Sequence, residues 1–230
     1  MKLLAVETST EACSAALLID GTITERYQLA PKEHTKLILP MIDDLMTEAG
    51  LMSQQLDALA FSCGPGSFTG VRIATGVIQG IALGADLPVV PVSTLAAIAQ
   101  DYFDHHHDNV AFVAMDARMD EIFWGVYQRD AEGYAGLIGV EAVTPAQSVQ
   151  FPQLLGVGIG SGWGVYHQTL MNRLTEFICH CQADLLPRAS AIARLGVRGF
   201  GQGLAVPVEL AMPVYLRDKV AMKESERLVE

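Results

Sequence analysis

Apolar residues recur along this chain in two rhythms, short dense runs and longer segments with helical spacing. The runs LLAVETS (3–9), CSAALLID (13–20) and TITERYQLA (22–30) have strand length, and the Asp20-Gly21 pair is a hairpin signal. They predict a three-stranded meander. A helix is predicted over 34–49, where Leu37, Ile38, Met41, Ile42, Leu45, Met46 and Ala49 form two adjacent seams opposite Lys36, Asp43, Asp44, Thr47 and Glu48. Leu39 falls off that face, and Pro40 removes one helical hydrogen bond and predicts a kink. A buried strand LDALAFS (56–62), a helix over 69–84, a short strand LPVVPV (87–92) and a helix over 93–103 complete this half. The order β-β-β-α-β-α-β-α implies a mixed sheet covered by helices.

After the polar connector DHHHDN (104–109) the pattern starts again. VAFVAMD (110–116), a turn DARMD and EIFWGVYQRD (121–130) read as a second strand-turn-strand opening, less regular beyond residue 145. The expected organisation is two α/β lobes, residues 1–104 and a smaller, more divergent 110–230.

Between the strand at 56–62 and the helix at 69–84 lies SCGPGSFTGVR (62–72). Pro65 and Gly66 fit a type II turn with Gly66 at positive φ, and Ser67 or Thr69 can cap the helix. The N–H groups of residues 66–71 would then face outward at the positive helix end, a setting for an anion. The loop is not a P-loop, because Thr69 and Val71 stand where G-x-x-x-x-G-K-[ST] needs its second glycine. It is not a nucleophile elbow either, since Ser67 is flanked two places away by Pro65 and Thr69. A tight connection that needs glycine for geometry alone explains the spacing equally well.

Composition narrows the class. The chain has 230 residues, half of them hydrophobic, enough for one large core or two modest ones. Its apolar stretches are broken by Glu, Gln, Asp or Arg before the roughly 20 residues needed to span a bilayer, and a cytoplasmic protein is expected. Net charge is −11, and the fifteen Lys and Arg are scattered, so strong unaided binding to nucleic acid or an anionic membrane is excluded. Cys13, Cys63, Cys179 and Cys181 read as free thiols.

Other candidates carry less. Glu7, Thr8, Ser9 and Thr10 end the first strand as Asp116, Ala117 and Arg118 end the first strand of the second lobe, places where two-lobed nucleotide-binding proteins hold phosphate and magnesium. Hydroxyl-rich turns are usually only turns. The cluster Gly156–Gly162 breaks the G-x-G-x-x-G register and reads as a strand end and turn. Histidines 105–107 lack a helical partner and read as solvated. Gly76, Gly80 and Gly84 cost the second helix about 1 kcal/mol each in propensity, so a close helix neighbour is expected, the 34–49 helix first and another subunit beyond it.

Taken together, GPGSFTGVR, LLAVETSTEACSAAL, EHTKLILPMI and DARMDEIFWGVY resemble the bacterial TsaB family, closely in the N-terminal half and more loosely after it. The resemblance implies the two-lobed actin-like ATPase fold of sugar kinases and heat-shock chaperones, each lobe a mixed sheet flanked by helices. It implies a non-catalytic accessory subunit that binds and activates a paralogue, TsaD, together with the ATPase TsaE, in threonylcarbamoyladenosine modification of tRNA. No catalytic residue and no metal site are expected, since the H-x-x-x-H pair of TsaD-type proteins is missing. A homodimer or TsaD-docking surface maps to Leu37, Met41, Leu45, Ile73, Val77, Gly80 and Ile81, expected to be exposed. Glu7, Thr8, Ser9, Gly66, Ser67 and Thr69 mark a vestigial nucleotide or anion site. No cofactor is expected to bind tightly, ATP or ADP with magnesium is expected only at a partner interface, and tRNA is reached only through the complex. The rival reading is a small-molecule kinase or ATPase using Glu7, Thr8 and Asp116, with a metallopeptidase a distant third.

Overall fold

The structure is a computed structural model that describes residues 1–217, so the tail segment KVAMKESERLVE lies outside the described residues. It contains two five-stranded mixed sheets. The first is built from β1 (Lys2–Glu7), β2 (Ala12–Ile19), β3 (Thr22–Leu29), β4 (Ala58–Gly64) and β5 (Val89–Ser93), in the order β3-β2-β1-β4-β5. The meander β1-β2-β3 is antiparallel, and β1, β4 and β5 run parallel. Alternation along these strands divides two cores. Leu4, Val6, Leu17, Leu59 and Phe61 face α1 (His34–Glu48) and α2 (Phe68–Ala85), while Leu3, Ala5, Ala16, Ala58 and Ala60 face the other way.

That second face carries small residues because α6 (Ala189–Gly201) lies close against it. A Cβ on Gly196 would stand 2.7 Å from the Ala60 methyl group. The chain therefore crosses back to the first lobe after residue 188, and residues 189–217 pack largely there, rather than completing a second lobe running to 230. Val206 bridges Val89 beside β5.

The second sheet is built from β6 (Val110–Arg118), β7 (Glu121–Arg129), β8 (Ala135–Pro145), β9 (Gly156–Ile159) and β10 (Ile178–Gln182). Its order, β10-β9-β6-β7-β8, repeats that of the first, with the same parallel and antiparallel pairings. α3 (Thr94–His105) packs Leu95, Ile98 and Tyr102 on one face, and α4 (Ser161–Val165) and α5 (His167–Leu174) place Trp163 and Leu170 on the other. Two repeated sheets flanked by helices make the two-lobed α/β fold that the sequence predicts.

α1 runs through Pro40, which stands on its exposed side. α2, on the other hand, is long and apolar enough by composition to cross a membrane, contrary to the reading that no segment is. Its apolarity serves the core instead: Val71, Ala74, Ile78 and Ala82 are buried against the first sheet.

Candidate functional site

The glycine loop closes onto the turn that follows β1. The Ser67 N–H donates to the Ser9 carbonyl at 2.8 Å, and the Thr8 hydroxyl donates to the Gly70 carbonyl at 2.7 Å. A Cβ on Gly66 would lie 2.6 Å from the Ser9 carbonyl oxygen, and one on Gly70 only 2.1 Å from that of Thr8. Gly66 is thus required by close approach and not by positive φ. The positive φ belongs to Gly64, at +114°. Ser67 caps α2 by accepting the Gly70 N–H, and Thr69 has no capping role.

The carboxylate behind this turn is sealed in. Glu7, Thr8 and Ser9 are fully buried, and one Glu7 oxygen accepts both the N–H and the hydroxyl of Ser9. Its other oxygen and the Ser62 hydroxyl have no partner among the described residues. Burial pushes the Glu7 carboxyl above the usual carboxylate range, opposed by its hydrogen bonds from Ser9. Glu7 and Thr8 therefore do not line the cleft between the lobes. Ser9, Gly66, Ser67 and Thr69 do, in a cavity of about 1100 Å³ that also takes in Asp116, Arg118 and Ser161 from the second lobe.

On that opposite wall the acidic turn is occupied with itself. Asp116 pairs with Arg118 at 3.0 Å, its carboxylate accepts the Arg118 N–H, and its own N–H donates to the Ser161 hydroxyl. Arg118, Met119 and Asp120 are three successive residues at positive φ. The strained turn is held by Arg217, which donates to the Arg118 carbonyl and pairs with Glu121. No sequence signal tied Arg217, some hundred residues later, to this turn.

The helix pair offers a different kind of surface. Met41 and Leu45 are buried at 9% and 1% exposure, so they hold α1 to the sheet and cannot serve as contact residues. Leu37, Ile73, Val77 and Ile81 are half-buried at the edge of the same core. Gly80 is exposed, with open space where a Cβ would stand, and so are Gly76 and Gly84. The glycine ridge expected to seat α1 faces outward instead. Beside it runs a groove of about 630 Å³ whose lining includes Leu39, Met46, Met52, Gly80, Ile81 and Gly84. Leu39, 55% exposed, lines this groove, and Leu83, 75% exposed, stands on α2 beside Gly84; the sequence marked neither as a contact. The available signal was Leu39's position out of phase with the buried seam.

Comparison with known proteins decides the family. The sequence profile described as "TsaD: tRNA N6-adenosine threonylcarbamoyltransferase" matches residues 23–225. The tRNA threonylcarbamoyladenosine biosynthesis protein TsaB of Escherichia coli K12 is 42% identical, covering 97% of this chain and 98% of its own. The chain belongs to the TsaB family. TsaB of Haemophilus influenzae is 39% identical over 97% of both chains. The solved structure of YeaZ from Pseudomonas aeruginosa superposes with a TM-score of 0.87 at 42% identity, covering 94% of this chain and 99% of that one.

Within this TsaB-family chain the remaining candidates are accounted for. Among the described residues no group of three or more His, Cys, Asp or Glu side chains is placed to hold a metal ion. Cys13 and Cys63 are buried free thiols, raised by burial to about 11 and about 12. His106 stacks on Tyr102 at 4.2 Å, and the Tyr102 hydroxyl meets Asp108 at 2.7 Å and His180 at 3.0 Å. The Gly156–Gly162 run, expected as a strand end and turn, is the whole of β9, Gly160 and the first two residues of α4, with Gly158 lying against the Trp163 ring.

Proposed function

We propose that this chain is a non-catalytic accessory subunit in tRNA threonylcarbamoyladenosine formation, one that docks on a TsaD-type paralogue and activates it together with a TsaE-type ATPase. The carrying observation is the outward face of α2. Gly76, Gly80 and Gly84 present bare backbone beside an apolar groove, which lets a helix of a partner approach closely. The same face suits a second copy of this chain, so homodimer and heterodimer compete for it. The condition of the cleft supports the non-catalytic part. A kinase or ATPase of this fold needs a carboxylate and phosphate-binding backbone facing the ligand, and here Glu7 is sealed in and the glycine loop is bonded to Ser9. ATP or ADP with magnesium then enters only at the partner interface. The net charge of −11 leaves tRNA to be held by the rest of the complex in the cytoplasm.

The test is reconstitution. The protein alone should neither hydrolyse ATP nor cleave peptides, and modification should appear only with TsaD, TsaE, tRNA and an activated threonylcarbamoyl donor added. Micromolar ATP affinity with turnover by the isolated chain would support the rival kinase or ATPase reading instead. Leu39→Glu with Leu83→Glu, both on exposed positions, should leave a folded monomer that no longer elutes with TsaD. An unchanged complex on size exclusion would end the docking assignment.

A further inference from the structure

The glycine loop and the strained β6–β7 turn stand on opposite lobes, and one short segment touches both. Residues 211–217 begin at Ala211, fully buried in the first-lobe core, whose carbonyl accepts from Gln79 of α2 at 2.9 Å. The Val214 N–H donates to the Cys63 carbonyl at 2.7 Å, at the end of β4. Tyr215 packs beside Phe68 with ring centroids 5.8 Å apart, and its hydroxyl accepts from Arg72 at 2.9 Å. The segment then crosses to the second lobe, where Arg217 meets Glu121 and the Arg118 carbonyl. Val214, Tyr215, Leu216 and Arg217 form one wall of the cleft.

We propose that residues 211–217 are a strap that closes the cleft between the lobes, with the glycine loop as its seat. Gly64 carries the strongest sign of this. At φ +114° it brings backbone within reach of the strap, and a Cβ there would lie 2.6 Å from the Val214 carbonyl oxygen. The loop's first glycine thus makes room for the strap, and its second and third make room for the β1 turn. The strap couples the lobes because its two ends are of different kinds. The first-lobe end is built from a buried residue, a backbone hydrogen bond and an aromatic contact. The second-lobe end is one arginine, partly exposed, on a turn with three residues in a costly backbone region. The weaker end opens first, and anything that enters the cleft from this side displaces it. This inference stands on the strap's own contacts and is independent of docking at α2.

Amide hydrogen exchange and thiol labelling test it on the full chain. Arg217→Ala removes only the second-lobe anchor, yet exchange should rise about tenfold at residues 64–70 of the first lobe as well as at 118–121. Acceleration confined to 118–121, or none, would overturn the strap. Tyr215→Ala with Arg217→Ala should also speed maleimide labelling of a Ser161→Cys probe inside the cleft about tenfold, read by peptide mass so that native thiols do not interfere. Unchanged labelling would equally overturn it. Exchange in β2, far from the strap, controls for loss of fold, and Arg217→Lys, which keeps the charge facing Glu121, should restore much of the protection at 64–70.

Discussion

In the first lobe β4 runs through the glycine loop into α2, 18 residues long, whereas in the second β9 runs through Gly160 into α4, five residues long, and then α5. The strand order is the same in both. Each connection is pressed against the first strand of its own lobe or the turn beyond it: Gly66 and Gly70 against Ser9 and Thr8, Gly160 and Gly162 against Ala114. The difference lies in what the helix then does. α2 keeps one face for the core and leaves another bare, while the broken helix of the second lobe spends Trp163 on filling its own core. One repeat leaves a helix face open to contact and the other is spent on packing.

The largest effect should come from breaking the packing repeat. Trp163 is 1% exposed and its indole N–H donates to the Phe112 carbonyl at 2.8 Å, so Trp163→Ala should cost about 4 kcal/mol by denaturant titration. In the contact repeat, Gly70→Val forces a side chain into the Thr8 carbonyl and should cost about 3 kcal/mol, with exchange rising at the β1 turn. A cost below about 0.5 kcal/mol would mean that the loop is not seated as described.

Between the lobes, Asp101 of α3 tests their junction through pH. Burial raises its carboxyl to about 6, against the nearby Arg188 and His105, which favour the charged form. The unfolded chain releases this proton near 3.8 and the native state only near 6, so native stability falls as pH rises between those values. Asp101→Asn should therefore add about 1–2 kcal/mol at pH 7 and almost nothing at pH 4 in paired melts. Smallest of all, Gly76→Ala has open space around it and should stabilise α2 by up to about 1 kcal/mol. If α2 docks a partner, the same substitution weakens the complex while raising the melting temperature.

The contrast between lobes also marks what the sequence revealed. Dense apolar runs in β1, β2 and β4 and the Asp20-Gly21 turn made the first sheet legible, because each of these strands is buried on both faces. β9 and β10 were not legible, being short, with glycines inside β9, and β9 pairs with β6, far away in sequence. The glycine spacing identified the loop, but its role was misplaced: positive φ falls at Gly64, and Glu7 turns inward, because β1 and β4 are adjacent strands and their following turns collide. Met41 and Leu45 looked like contact residues because helical periodicity shows a face is apolar, not which half of it the sheet covers. The return of α6 and the strap to the first lobe left no local trace at all.

That return has a consequence in time. A ribosome releases β1 long before α6, yet Ala5, Ala58 and Ala60 share the core on their side of the sheet mainly with α6, Ala97 of α3 adding to its edge. During synthesis the first lobe waits as a half-clothed sheet while the whole second lobe emerges and folds. Its small side chains on that face keep the exposed surface modest until α6 arrives to cover it.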